Sequence, residues 1–164
     1  MQIWAEKDIR LMKDVLQSSY PFINYFHGNV CGSGTCIFSK WAIEFVTTHS
    51  FGANGYPHRV DHGDWYCGKG FGMARITTQN GYCINVYILH LIARYVLDRN
   101  KDGYEGHRMA QVIELIEFIN STMHSVDAIF VAGDFNLEPE TTGIKLLREV
   151  LGLRDAWLDC VLNS

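Results

Sequence analysis

The stretch 127–132 is short, continuously apolar after its opening Asp127, and empties without a spacer into Gly133-Asp134-Phe135-Asn136. Such a run suits a strand in the middle of a sheet covered on both faces, where neither side calls for polar residues. A Gly-Asp-x-Asn turn at its end fixes one carboxylate and one amide at the rim of a rigid scaffold. The rest of the chain must then supply neighbouring strands and the helices that cover them.

Those elements can be read from periodicity. Residues 71–78 and 82–91 form two strands joined at Asn80-Gly81, a dipeptide strongly associated with tight hairpin turns, so they pair antiparallel. Met109, Val112, Ile113, Ile116 and Ile119 line one face of a helix over 104–123. An amphipathic helix over 3–16 carries Ile9, Met12 and Leu16, with Pro21 beyond its end. Short strands are expected at 36–39 and 43–48. Pro139-Glu140-Thr141 opens a further helix that Gly152 caps, and Ala156-Trp157-Leu158 is expected as a last strand. Between 52 and 72 six glycines and Pro57 break the pattern, which predicts a long loop, and long loops in compact domains are more often functional than idle. Strands and helices mix without strict alternation, so the fold class is α/β in the broad sense: an α+β sandwich with antiparallel pairs.

With 164 residues the chain has the size of one domain and can bury roughly 68–70% of its unfolded surface. Apolar residues make up 48% and charged residues 20%, which excludes a disordered chain. A net charge of -4 disfavours nucleic acid as a partner, since phosphate-backbone binding calls for a basic patch. The 5 cysteines form no disulfide framework and contain no CxxC pair, so reduced thiols are expected and structural zinc is not. No signal peptide or run of 18 apolar residues is visible, so the segment reads as soluble and cytosol-like.

Three constellations carry chemistry. Asp134 could hold a histidine or a metal-bound water, and the Asn136 amide could donate to a phosphoryl oxygen. The bland alternative is that both are turn formers bonded to their own backbone. His90, near the end of the 82–91 strand, is either a satisfied core histidine or a second polar group converging on Asp134, suited to acid–base work or to stabilising a phosphoryl group. Asp64 and Lys69 lie five apart among glycines that let backbone approach a ligand, and the alternative there is an exposed ion pair on a mobile loop. The other histidines have no HExxH-like spacing.

Read in order, Gly32-Ser33-Gly34-Thr35-Cys36, Asn54-Gly55-Tyr56-Pro57, His62-Gly63-Asp64-Trp65, Leu89-His90-Leu91, Tyr104-Glu105-Gly106-His107-Arg108, Gly133-Asp134-Phe135-Asn136 and Leu153-Arg154-Asp155-Ala156 resemble the neutral sphingomyelinases. These are a branch of the endonuclease/exonuclease/phosphatase superfamily. The Gly-Asp-x-Asn segment marks the superfamily, while Gly-Tyr-Pro and His-Gly-Asp-Trp mark the branch. The resemblance implies a four-layer phosphodiesterase fold, here incomplete, forming one partial catalytic domain over 1–164. It implies Mg2+-dependent hydrolysis of sphingomyelin, or a related lysophospholipid in a membrane, to ceramide and phosphocholine. Asp134, Asn136 and His90 match its catalytic residues, and Asp64 with Lys69 matches an Asp–Lys pair thought to gate activity.

The departures carry expectations too. Gln2 stands where the family has its metal-binding glutamate, and an amide is a poorer ligand for a hard cation. Ile92 and Arg94 replace residues that are usually polar and acidic. Against the family pattern, the opening strand and the water-activating histidine near the domain's end are expected to be missing. Such a piece could be a catalytically dead remnant that binds lipid or protein. It could also belong to another phosphodiesterase of the same fold. Membrane association is expected of the full-length family member.

Overall fold

The computed structural model describes residues 6–26 and 34–162. Gln2, Cys31, Gly32 and Ser33 lie outside the described residues, as does the start of the first expected helix. That helix is α1 (Glu6–Leu16). Then come β1 (Phe22–Phe26), β2 (Thr35–Ser39), β3 (Ile43–Ser50), α2 (Asp64–Cys67), β4 (Gly70–Thr77), β5 (Cys83–His90), α3 (Glu105–Thr122), β6 (Ala128–Asp134), α4 (Thr142–Leu151) and α5 (Ala156–Leu162).

β3, β4, β5 and β6 form one sheet in that order, antiparallel from β3 to β5 and parallel between β5 and β6. The parallel pair needs a crossover, which α3 provides. β1 and β2 make a separate antiparallel pair. The two faces of the sheet follow from alternation along each strand. Phe71, Met73, Tyr87 and Leu89 pack in one core with Val112, Leu115 and Ile119 of α3 and Leu147 of α4. Ala74 and Ile76 face the other way onto Phe26 and Ile37, with Val86 and Ile88 alongside. Gly72 is obligatory on that second face, because any Cβ there would overlap the Phe26 ring.

α3 ends against polar residues of the sheet. The Thr122 carbonyl accepts from Asn85 Nδ2 at 2.9 Å and from Arg75 at 3.4 Å, and Asn85 Oδ1 accepts from Arg75 Nε at 3.0 Å. The last carbonyls of a helix have no partner within it, so buried Asn85 satisfies what would otherwise be an orphan.

Three expectations differ from what the described residues show. β6 lies at the end of the described sheet rather than in its middle, and Phe130 is 57% exposed. The stretch 52–72 is not all loop: it contains a 3₁₀ turn (Val60–His62) and α2, and Gly70 already belongs to β4. The last expected strand is the helix α5. Asp155 Oδ1 accepts from the backbone N–H groups of Trp157 and Leu158 at 3.0 and 3.1 Å, a helix N-cap that outweighs the strand preference of the apolar residues after it. β1 is an additional strand that the pattern of residues does not predict. The β4–β5 hairpin forms as expected, with its turn running from Thr78 to Tyr82 and Gly81 in the left-handed region.

Candidate active site

The site is built where β5 and β6 end side by side. His90 and Asp134 are direct partners across the parallel pair, and Gly70, which opens β4, is the partner of His90 on its other side. Gly133 makes this register possible. Its φ is 135°, and a Cβ there would overlap the Leu89 carbonyl oxygen, so only glycine lets β6 run this close to β5.

The turn after β6 is held by its own side chains. Asp134 Oδ1 accepts from the Asn136 N–H at 2.9 Å, and Asn136 sits at a positive φ of 47°, which asparagine tolerates better than most residues. The turn-former reading is thus correct for half of Asp134. The other half faces outward from that turn: Oδ2 lies 3.9 Å from His90 Nε2.

Leu91 to Ala93, which leave β5, belong to no strand, yet each of their backbone groups has a partner. Leu91 N–H donates to Asp134 O, and Leu91 O accepts from Asn136 Nδ2, both at 2.9 Å. Ile92 N–H donates to Gln111 Oε1 at 3.0 Å, and Ala93 N–H donates to Asp64 Oδ2 at 2.9 Å. Arg108 Nη1 supplies the carbonyls of Ile92 and Ala93 at 3.4 and 3.3 Å. Buried irregular backbone persists only when its polar groups are satisfied in this way.

Asp64 and Lys69 are not an exposed pair on a mobile loop. They are 7% and 4% exposed, with Lys69 Nζ 3.2 Å from Asp64 Oδ1. The same Nζ lies 2.7 Å from His90 Nε2. Burial lowers the Lys69 pKa, opposed by the Asp64 carboxylate. Burial, then the charge of Lys69, push the His90 pKa down to about 4, opposed by Asp134 and Asp64. His90 is therefore neutral at neutral pH, so its approach to Asp134 is not an ion pair.

Beside this group opens a cleft of about 710 Å³, lined among others by Asp134, Asn136, Arg94, Glu138, Arg108 and Thr141. Asp134 and Asn136 reach it directly, whereas the buried His90 contacts it through Asp134. Arg94 Nη1 pairs with Glu138 Oε1 at 3.2 Å in the cleft lining, and Arg99 contacts the same carboxylate. Arg108, 3% exposed, pairs with Asp102. Residue type alone does not single out Gln111, Arg108 or Glu138. Arg108 and Glu138 carry a signal only by lying in or next to the family-like segments, and Gln111 carries none. Among the described residues no group of three or more His, Cys, Asp or Glu could hold a metal ion.

The sequence profile of the Endonuclease/Exonuclease/phosphatase family matches residues 3–161. The chain belongs to that family. As a member of it, the chain is 40% identical over 158 residues to Sphingomyelin phosphodiesterase 2 of Homo sapiens, covering 96% of this chain and 37% of that protein. The fold agrees with solved structures of this family's architecture. Sphingomyelinase C from Streptomyces griseocarneus superposes with a TM-score of 0.72 at 17% identity, over 92% of this chain and 55% of the other. A beta toxin variant from Staphylococcus aureus with bound magnesium ions superposes with a TM-score of 0.65 at 20% identity, over 87% and 52%.

Proposed function

We propose that this chain is part of the catalytic domain of a sphingomyelin phosphodiesterase, which hydrolyses sphingomyelin to ceramide and phosphocholine. The observation that carries this reading is the convergence of His90, Asp134, Asn136, Lys69 and Asp64, from separate segments, at the ends of β5 and β6. The phosphodiester would lie in the cleft at Asp134 and Asn136. One Asn136 amide hydrogen is held by Leu91 O, and the second can donate to a phosphoryl oxygen as its charge grows. Neutral His90, held by buried Lys69, stands behind the Asp134 carboxylate at that cleft and would help to position it.

Magnesium is the proposed cofactor. Mg2+ is usually bound by one or two carboxylates plus substrate phosphate and water, so a single half-exposed Asp134 carboxylate at the cleft is compatible with it. The family's metal-binding glutamate falls at Gln2, outside the described residues, where an amide is the poorer ligand for a hard cation. When bound, the ion would polarise the phosphoryl group. The substrate places the full protein at a membrane. No helix of the described residues is long and apolar enough to cross one.

The test is phosphocholine release from sphingomyelin micelles by the protein that carries this chain, with magnesium and after chelation. Release that stops on chelation is expected. No release in magnesium would defeat the reading, and cleavage of nucleic acid instead would move the protein to another branch of the family.

A further inference from the structure

Three connections emerge at the same end of the sheet as His90 and Asp134: the segment that enters β4, the one that leaves β5, and the turn after β6. The first two are clamped together. The rings of His62 and Tyr95 stack at 3.8 Å with 6° between their planes, and the Tyr95 hydroxyl donates to His62 O. Gly55 packs against Ile92 and Tyr104. This double loop is held from within, yet it turns large apolar side chains to water. Val60 is 68% exposed, Trp65 44% and Leu97 94%, with Tyr66 and Val96 beside them in sequence. Single exposed apolar residues need no explanation, but several on two adjoining loops beside a catalytic cleft do.

The charges on this rim choose the occupant. Arg59 pairs with Asp61 at 3.1 Å, Lys101 with Asp98 at 3.5 Å, and Arg94 and Arg99 with Glu138. Arg94 and Arg99 share one carboxylate, but Asp102, Glu105, Asp134 and Glu140 line the same cleft, so this end of the sheet has no basic field to attract an anionic surface. We propose that the Val60, Trp65 and Leu97 rim docks on a zwitterionic lipid bilayer, inserting these side chains among the headgroups and bringing the cleft to the membrane plane. The proposal rests on the lipid phosphodiesterase reading and adds the surface by which the site meets its substrate.

The test measures partition of the chain onto vesicles of phosphatidylcholine and sphingomyelin, with and without added phosphatidylserine, by cosedimentation. Leu97→Asp and Val60→Asp place a charge where insertion would bury an apolar group, and each is expected to lower partition about ten-fold or more. Tyr82→Asp, at the exposed hairpin turn on the opposite end of the sheet, is expected to change nothing. Phosphatidylserine is expected to give no gain. Wild-type chain that stays off zwitterionic vesicles, equal partition of both rim variants and wild type, or binding that depends on phosphatidylserine would overturn the proposal. Partition does not require turnover. Loss of hydrolysis on detergent-dispersed lipid would count against the enzymatic reading alone, and unchanged partition of the rim variants in an active enzyme would count against the docking surface alone.

Discussion

Lys69 and His90, 21 residues apart in sequence, meet at 2.7 Å inside the protein, with Asp64 closing on the lysine from the other side. A lysine buried to 4% exposure beside an imidazole opposes protonation of that ring. His90 is thereby depressed from 6.5 to about 4, with burial the larger cause. In Lys69→Met the His90 pKa should rise but stay below 6.5, because burial persists. Titration of the His90 ring resonances by NMR checks this, and an unchanged value would remove Lys69 as a cause.

The same depression has a consequence for stability. Between about 6.5 and about 4 the unfolded chain binds a proton at His90 that the folded chain does not, so acidification through that window favours unfolding. The loss attributable to this group approaches about 3 kcal/mol at the acid end. His90→Gln should flatten the pH dependence of the urea midpoint in that window. A dependence as steep as wild type would place its origin elsewhere.

Gly133 is the backbone condition for the site. Its φ of 135° lies where residues with a side chain are strained by about 1–3 kcal/mol, and the Leu89 carbonyl leaves no room for a Cβ. Gly133→Ala should therefore lower stability by at least that amount and loosen the register of His90 with Asp134. Denaturant unfolding measures the first. A variant within about 0.5 kcal/mol of wild type, the usual range for an innocuous surface change, would show that the turn is not constrained as described.

Much of this arrangement is legible in the order of residues. α3 announces itself by its apolar spacing, and the β6 run with its Gly-Asp-x-Asn turn marks the site's rim, because both depend on local periodicity. The burial of Asp64 and Lys69 is not legible in that way. It follows from the pairing of Gly70 with His90, a contact that no local pattern encodes. β1 escapes for the same reason, since Phe22 pairs with Ser39 and a five-residue strand with Asn24 at its centre does not declare its partner. α5 is a different case, because its signal is present and competes with another. Asp155 ahead of Ala156-Trp157-Leu158 is a capping residue, and three apolar residues in a row cannot decide between helix and strand.

Gln111 joins the loop after β3 to the loop after β5. It is fully buried, donates to Ala53 O at 2.8 Å, and accepts from the Ile92 N–H at 3.0 Å. Gln111→Ala would orphan both backbone groups, at a cost of about 1–3 kcal/mol for each that stays buried. Faster hydrogen exchange at the Ile92 amide, with little change in the β4–β5 ladder, is the expected local signature. Exchange at Ile92 equal to wild type would mean that another group holds this loop.

Asp134 permits a substitution that separates its two roles. In Asp134→Asn the side-chain oxygen can still accept from the Asn136 N–H, so the turn should survive, while the charge that Oδ2 presents beside His90 is lost. If the carboxylate acts only as a turn former, the variant should retain full turnover. If it acts on the reacting phosphodiester or on a bound magnesium ion, phosphocholine release should fall by about 100-fold or more, the scale seen when one group that stabilises developing charge is removed. Loss of an attractive neighbour should also lower the His90 pKa further, since the Asp134 charge is one of the two that raise it. Release that falls together with an unchanged melting temperature would assign the carboxylate to chemistry. Wild-type turnover in a folded variant would return Asp134 to the turn alone.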